Sequence, residues 1–123
     1  NALYVNNGTG YFRNFAPDLG VEDVAAGMGA AFADLDRDGQ VDLYVSNMES
    51  SAGRRITDQL GFQPEASEGT RSLFRRHAKG NTLFLRSPDG GFVDSGLATE
   101  GLDLLLDGME CDAMVDKLHR VKA

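Results

Sequence analysis

Hydrophobic residues in this chain occur mostly as short runs that are separated by turn-forming residues. Residues 3–5 and 83–85 are two such runs, and each precedes a glycine-containing turn and a segment that begins with an aromatic residue. This order is typical of a β-hairpin. Residues 42–46 (DLYVS) place an apolar run between two polar residues, which suits a buried strand. The pattern predicts an all-β fold with many turns.

The sequence also contains an internal repeat. Residues 1–14 (NALYVNNGTGYFRN) align with residues 81–94 (NTLFLRSPDGGFVD) at an offset of 80 positions. In both copies Asn, Leu, an aromatic residue and an aliphatic residue occur in the same order, and Gly-x-Phe follows. The alternative is a chance similarity between two hairpins, but the ordered match of residue classes favours a repeat.

Residues 49–80 depart from the β pattern. A surface helix is predicted near residues 67–79, because Glu68 lies near its start and Lys79 near its end. Acidic side chains favour the first turn of a helix and basic side chains the last. Gly80 lies where a C-terminal cap belongs.

Residues 102–123 form a tail that matches neither the hairpins nor the remaining strands. Five of its residues recur at helical spacing: Cys111, Met114, Val115, Leu118 and Val121. The spacing fits either a short amphipathic helix or a segment without stable structure. The tail is either a divergent native end or a sequence artefact such as a frameshift.

With one cysteine, an internal disulfide is excluded.

An acidic loop, residues 34–42 (DLDRDGQVD), lies between two predicted strands within residues 27–47. Its carboxylates are crowded, which is unfavourable without a cation because like charges raise one another's pKa. Calcium takes roughly six to eight oxygen ligands, and loops with this spacing supply them from alternate positions around a glycine. The predicted ligands of one Ca²⁺ are the side chains of Asp34, Asp36, Asp38 and Asp42 and the backbone carbonyl of Gln40.

Other interpretations of this loop are a solvated acidic turn, a magnesium site, a zinc site and an EF-hand. Magnesium retains water and demands rigid octahedral geometry, and no cysteine or histidine lies near the loop to bind zinc. An EF-hand needs a bidentate Glu at its twelfth position and a helix on either side. That position is Val45, within a strand-like run, so an EF-hand is excluded.

The segment GMGAAFADLDRDGQVDLYVSN resembles the FG-GAP repeat of integrin α-subunits and its bacterial VCBS-type relatives. The hairpins NALYVNNGTGYF and NTLFLRSPDGGF resemble the other half of the same repeat. Residues 50–57 (SSAGRRIT) and 75–81 (RRHAKGN) are similar to the insertion in bacterial cartilage-acidic-protein-like proteins of the ASPIC/UnbV group. The resemblance extends over about residues 1–101.

This resemblance implies a four-stranded β-propeller blade in which the calcium loop joins the two inner strands. Residues 1–20 would be the outer hairpin of one blade. Residues 21–101 would be a second blade, with the calcium loop at 34–42 and an insertion at 49–80, and residues 102–123 an off-pattern tail. About one and a half blades leave strand edges unpaired, so we expect the isolated chain to self-associate. Its natural partners would be the remaining blades.

The 12 basic and 19 acidic residues give a formal net charge of −7. This balance argues against a nucleic-acid partner, since phosphate contacts need clustered Lys and Arg. Residues 50–86 carry a net charge of +4 between two acidic segments. No apolar stretch approaches the length of a membrane span. No signal peptide opens the sequence, and we expect a piece of a longer protein whose repeat type implies an extracellular or periplasmic location.

The sequence offers no constellation of catalytic residues. His77 lies in the basic segment and His119 in the tail, and neither accompanies a serine or cysteine nucleophile motif. We therefore predict a non-enzymatic, calcium-binding structural or interaction repeat of a larger secreted or periplasmic propeller, with a protein or a glycan as its ligand. The alternative is a carbohydrate-binding or polysaccharide-lyase-associated module that uses the same repeat.

Overall fold

A computed structural model of the 123-residue chain describes residues 1–98, 116 and 118–121. The elements follow in the order β1 (Tyr4–Asn6), β2 (Phe12–Asn14), α1 (Ala16–Leu19), β3 (Gly27–Ala33), β4 (Asp42–Asn47), α2 (Ser51–Thr57), α3 (Glu68–Ala78), β5 (Thr82–Arg86) and β6 (Phe92–Asp94). Residues 116 and 118–121 are also helical.

The strands form two antiparallel sheets. β3, β4, β5 and β6 make a four-stranded sheet in chain order, while β1 and β2 form a separate hairpin. Leu43 on β4 pairs with Phe84 on β5, which in turn pairs with Asp94 on β6. The mainly antiparallel sheet structure predicted from the sequence is confirmed. The described residues show no closed propeller, so the blade boundaries stay a prediction.

The two hairpins of the sequence repeat have the same register. Tyr4 pairs with Asn14 in β1–β2, and Phe84 pairs with Asp94 in β5–β6, which is the same pairing shifted by the offset of the sequence repeat. In both hairpins the residue after the second strand then donates a backbone hydrogen bond of 2.8 Å to the residue that precedes Tyr4 or Phe84. The repeat in the sequence is therefore a repeat in the structure, and chance similarity is the weaker explanation.

Two hydrophobic clusters cover opposite faces of the four-stranded sheet, because successive side chains of a strand point to opposite faces. One cluster contains Ala16, Val21, Leu43, Val45, Phe84 and Phe92. The other contains Leu83, Leu85, Ala98 and Leu118. The first face is thus covered by the segment that follows β2, and the second by Ala98 together with Leu118 of the tail.

The tail contributes to the core through a helical segment. Leu118 is only 2% exposed, and Val121 packs beside it as a half-buried residue. At residues 116 and 118–121 the helical interpretation of the tail is therefore the one that the structure supports. Cys111, Met114 and Val115 lie outside the described residues.

The helix predicted near residues 67–79 is α3. The hydroxyl of its N-cap, Ser67, accepts a hydrogen bond of 3.2 Å from the backbone amide of Thr70. Gly80 follows the end of the helix with a φ of +93°, a conformation that favours glycine because other residues would be strained there. The predicted cap position is thus confirmed.

The prediction of an all-β chain with one helix was too narrow, because α1 and α2 are helical as well. α2 begins after Ser50, whose hydroxyl accepts a hydrogen bond of 2.9 Å from the amide of Gly53. Such a cap favours a helix start, but Ile56 is the one large apolar residue of α2 and gives no helical period. α1 is a single turn with Pro17 near its start and Gly20 as a left-handed cap.

The two ends of the insertion meet at the edge of the sheet. The backbone amide of Asn47, at the end of β4, donates a hydrogen bond of 3.0 Å to the side-chain oxygen of Asn81. The side-chain amide of Asn47 donates another of 3.0 Å to the carbonyl of Gly80. The chain thus leaves and re-enters the sheet at neighbouring points.

Arg76 on α3 connects the insertion to the rest of the protein. Its Nε lies 2.9 Å from Oδ1 of Asp23, and its Nη1 lies 2.5 Å from Oδ2 of Asp94. The Asp23 carboxylate is fully buried and also accepts hydrogen bonds from the hydroxyl of Thr82 and the amide of Ala25. Burial raises the pKa of Asp23, but the hydrogen bonds outweigh burial, and this pKa lies below its ordinary value.

Candidate metal centre

The acidic loop, residues 34–42, connects β3 to β4 and curls around one carboxylate. The backbone amides of Asp38 and Gly39 donate hydrogen bonds of 3.0 and 2.9 Å to the two oxygens of Asp34. Gly39 has a φ of +85°, which glycine adopts without strain. Oδ1 of Asp38 accepts a hydrogen bond of 2.8 Å from the amide of Gln40. The loop therefore has a defined shape that its own polar groups maintain.

Three carboxylates of the loop converge on one point. Asp34, Asp36 and Asp42 each offer an oxygen, and these three oxygens lie within 4.8 Å of one another. Asp36 and Asp42 are fully buried, while Asp34 is exposed. Oxygen donors that converge in this way, partly shielded from water, fit a hard divalent cation such as Ca²⁺.

The other two predicted ligands, Asp38 and Gln40, do not belong to this group of three. Asp38 is not among the three converging carboxylates, and its Oδ1 accepts the hydrogen bond from Gln40. Roles for the Asp38 side chain and for the Gln40 carbonyl stay predictions. A site with five protein ligands would need one oxygen from each of these two residues in addition to the three carboxylates.

Asp42 also connects the loop to the sheet, which the sequence did not reveal. Its Oδ2 accepts a hydrogen bond of 2.9 Å from the amide of Leu35, and its Oδ1 accepts one of 2.8 Å from the amide of Arg86. Arg86 lies at the end of β5, 44 residues away in the chain. A contact at this separation leaves no signal in the local pattern, so sequence analysis assigned Asp42 a metal-binding role alone.

The histidines do not contribute to this site. Nδ1 of His77 lies 2.9 Å from the carbonyl oxygen of Val24, where it helps to hold α3 against the segment before β3. His119 is an exposed residue of the tail. Within the described parts of the chain, residues 34–42 provide the one cluster of three or more potential metal ligands. None of the described helices has the length and apolarity to cross a membrane.

Comparison with known proteins relates the chain to a repeat family. Residues 1–45 match the family model of the FG-GAP-like repeat. A segment of 48 residues is 46% identical to Cartilage acidic protein 1 of Xenopus tropicalis. That match covers 38% of this chain and 7% of the relative, so the chain spans a small part of that protein.

No solved structure matches the chain significantly. The family match begins with the first hairpin, includes the acidic loop and ends within β4. The match to Cartilage acidic protein 1 agrees with the resemblance to cartilage-acidic-protein-like proteins that the motifs suggested. Residues 1–45 thus match an FG-GAP-like repeat, and over these residues the resemblance inferred from the sequence is confirmed.

Proposed function

We propose that this chain is a calcium-stabilised structural repeat of a larger β-propeller protein located outside the cytoplasm. The observation that carries the proposal is the convergence of Asp34, Asp36 and Asp42 within 4.8 Å. The match to an FG-GAP-like repeat supports a structural rather than a catalytic role. The same proposal includes a protein or a glycan as the ligand of the parent protein.

Calcium bound here would stabilise more than the loop. Asp42 holds the amide of Leu35 at the start of the loop and the amide of Arg86 on β5. A cation that fixes the Asp42 side chain in this position would therefore stabilise the junction between β3, β4 and β5. Because only the folded loop presents the ligands together, binding stabilises the folded state, by about 2.7 kcal/mol at a hundredfold excess over Kd.

The first hairpin supports a role as one repeat among several. β5 lies between β6 and β4, but β1, its counterpart in the repeat, pairs with β2 alone among the described strands. Tyr4 and Val5 on β1 are 64% and 44% exposed. We infer that a strand equivalent to β4, from a preceding repeat of the parent protein, pairs with the free edge of β1.

The proposed location of the parent protein outside the cytoplasm rests on the expected calcium affinity of the loop. The loop lacks the bidentate Glu of an EF-hand, since the twelfth position is Val45. We therefore expect a Kd in the range of extracellular modules, ~10⁻⁴–10⁻³ M, which suits a calcium-rich compartment. Recovery of the parent protein from the cytosol of its native host would contradict this expectation.

Isothermal titration calorimetry tests the metal site. The wild-type chain should bind one Ca²⁺, and Asp36→Asn should weaken binding at least tenfold (roughly 1.4 kcal/mol), because it removes one charge from the three converging carboxylates. Asp58→Asn is the matched control, since Asp58 is an exposed acidic residue outside the loop. Equal calcium affinity in wild type and Asp36→Asn would refute the assignment.

A further inference from the structure

The basic segment of the sequence, which the calcium site does not explain, forms a cleft between α2 and α3. The start of α2 packs closely on the end of α3, and a Cβ on Gly53 would lie 3.4 Å from the Cβ of Ala78. The cleft has a volume of about 300 Å³. Its lining consists of Arg54, Thr57, Asp58, Ser72, Arg75, Arg76 and Lys79. Four of these seven side chains are cationic and one is acidic.

Two of the four cations already donate hydrogen bonds to carboxylates, and Nε of Arg75 also lies 4.0 Å from Asp58 within the cleft. Arg76 binds Asp23 and Asp94, and Nη1 of Arg75 lies 2.7 Å from the carboxylate of Glu68. Because these guanidinium groups already donate to carboxylates, they have less uncompensated charge and fewer N–H donors left for a ligand.

The other two cations keep their hydrogen-bonding capacity. Lys79 is half-buried and makes no ion pair with any described residue. Arg54 forms an ion pair with Glu49, but the distance of 3.6 Å is too long for a hydrogen bond. The exposed hydroxyl of Ser72 is an additional donor on the opposite helix.

We infer that this cleft binds a tetrahedral oxyanion such as sulfate, either as a free ion or as a substituent of a larger molecule. Lys79 would supply a compact charge, Arg54 a planar array of N–H donors, and Ser72 a hydroxyl donor from the facing helix. Oxyanions accept several such charge-assisted hydrogen bonds at once. The openness of the cleft to water makes the binding weak and sensitive to salt. The inference does not depend on calcium binding by the acidic loop.

The test is a titration of the full ¹⁵N-labelled chain with sodium sulfate, at fixed calcium and with sodium chloride adjusted to constant ionic strength. Saturable shifts should appear for amides of α2 and α3. Arg54→Gln and Lys79→Gln should each raise the Kd about threefold to tenfold, as expected for an exposed ionic contact. Arg55→Gln, with the same loss of charge on α2 but outside the cleft, should leave the Kd unchanged.

A second arm of the experiment identifies the source of the anion by titration with a sulfated disaccharide. Tighter binding than for inorganic sulfate, with the same dependence on Lys79, assigns the oxyanion to a glycan, and equal binding assigns it to the free ion. Shifts that rise linearly with sulfate would overturn the inference. Equal loss of affinity in Arg55→Gln and Lys79→Gln would overturn it as well, because net charge and not the cleft would then attract the anion.

Discussion

Replacement of Arg76 by methionine tests how the insertion is attached to the sheet. Arg76 donates two hydrogen bonds to Asp23 through Nε and Nη2, and the Asp23 carboxylate is fully buried. The substitution keeps the aliphatic stem but removes the positive charge that compensates Asp23. It leaves Thr82 and the amide of Ala25 as the remaining donors to that carboxylate.

The expected loss of stability follows from the burial of Arg76 and Asp23. Removal of one member of a fully buried ion pair costs about 3–5 kcal/mol, because the other charge is left without its partner. Arg76 retains 26% of its side-chain exposure and Asp23 retains two donors, so we expect a smaller loss. We predict that the free energy of unfolding falls by about 2 kcal/mol in Arg76→Met.

Urea-induced unfolding at neutral pH and saturating calcium measures this loss. Arg13→Met is the matched control, because Arg13 and Asp18 form an exposed pair with side-chain exposures of 71% and 51%. Such a pair contributes at most about 1 kcal/mol. Adding Asp23→Asn to Arg76→Met should restore part of the stability, since position 23 then no longer holds a buried charge without a cationic partner. Equal losses for Arg76→Met and Arg13→Met would refute the reasoning.

Three further predictions concern pH, backbone strain and association. The pKa of Asp23 in the folded protein lies below its ordinary value of about 3.8, so ionised Asp23 stabilises the fold above that pH. This stabilisation is lost as the pH falls through the folded pKa. Acid unfolding should therefore depend less on pH in Arg76→Met than in the wild type. Gly80→Ala should lower stability by about 1–2 kcal/mol in thermal melts, since its φ is +93°, whereas Gly61→Ala in open space should not. Sedimentation velocity should show association that increases with concentration, and Met28→Lys on the exposed strand β3 should reduce it; a strictly monomeric wild type would contradict this.

The features that the sequence predicted well are those encoded by adjacent residues. The strand of residues 42–47, the acidic loop and the start of α3 each depend on neighbours within a few positions. α2 escaped prediction because Gly53 and two arginines interrupt any hydrophobic period around Ile56. The hydrogen bond between Asp42 and Arg86 was also inaccessible, because it forms only when β5 reaches the sheet.

The segments that bury the strand at residues 42–46 were inaccessible for the same reason. The buried strand itself was predicted, and Leu43 and Val45 are each 5% exposed. The segment after β2 covers their face of the sheet, and Leu118 covers the other. These contacts join residues far apart in the chain, so hydrophobic periodicity could identify the strands but not the segments that bury them.

The contacts between Asn47 and Asn81 bear on how much this fold tolerates changes in chain length. The two ends of this connection lie within one hydrogen bond of each other, as the ends of a tight turn do. The sheet therefore does not depend on the number or kind of residues between them. Lengthening a four-residue connection to the 33 residues between these asparagines costs only about 2 kcal/mol in closure entropy. Relatives could therefore gain, lose or exchange the helical segment at this point without altering strand register, so new binding surfaces can evolve here while the acidic loop is kept.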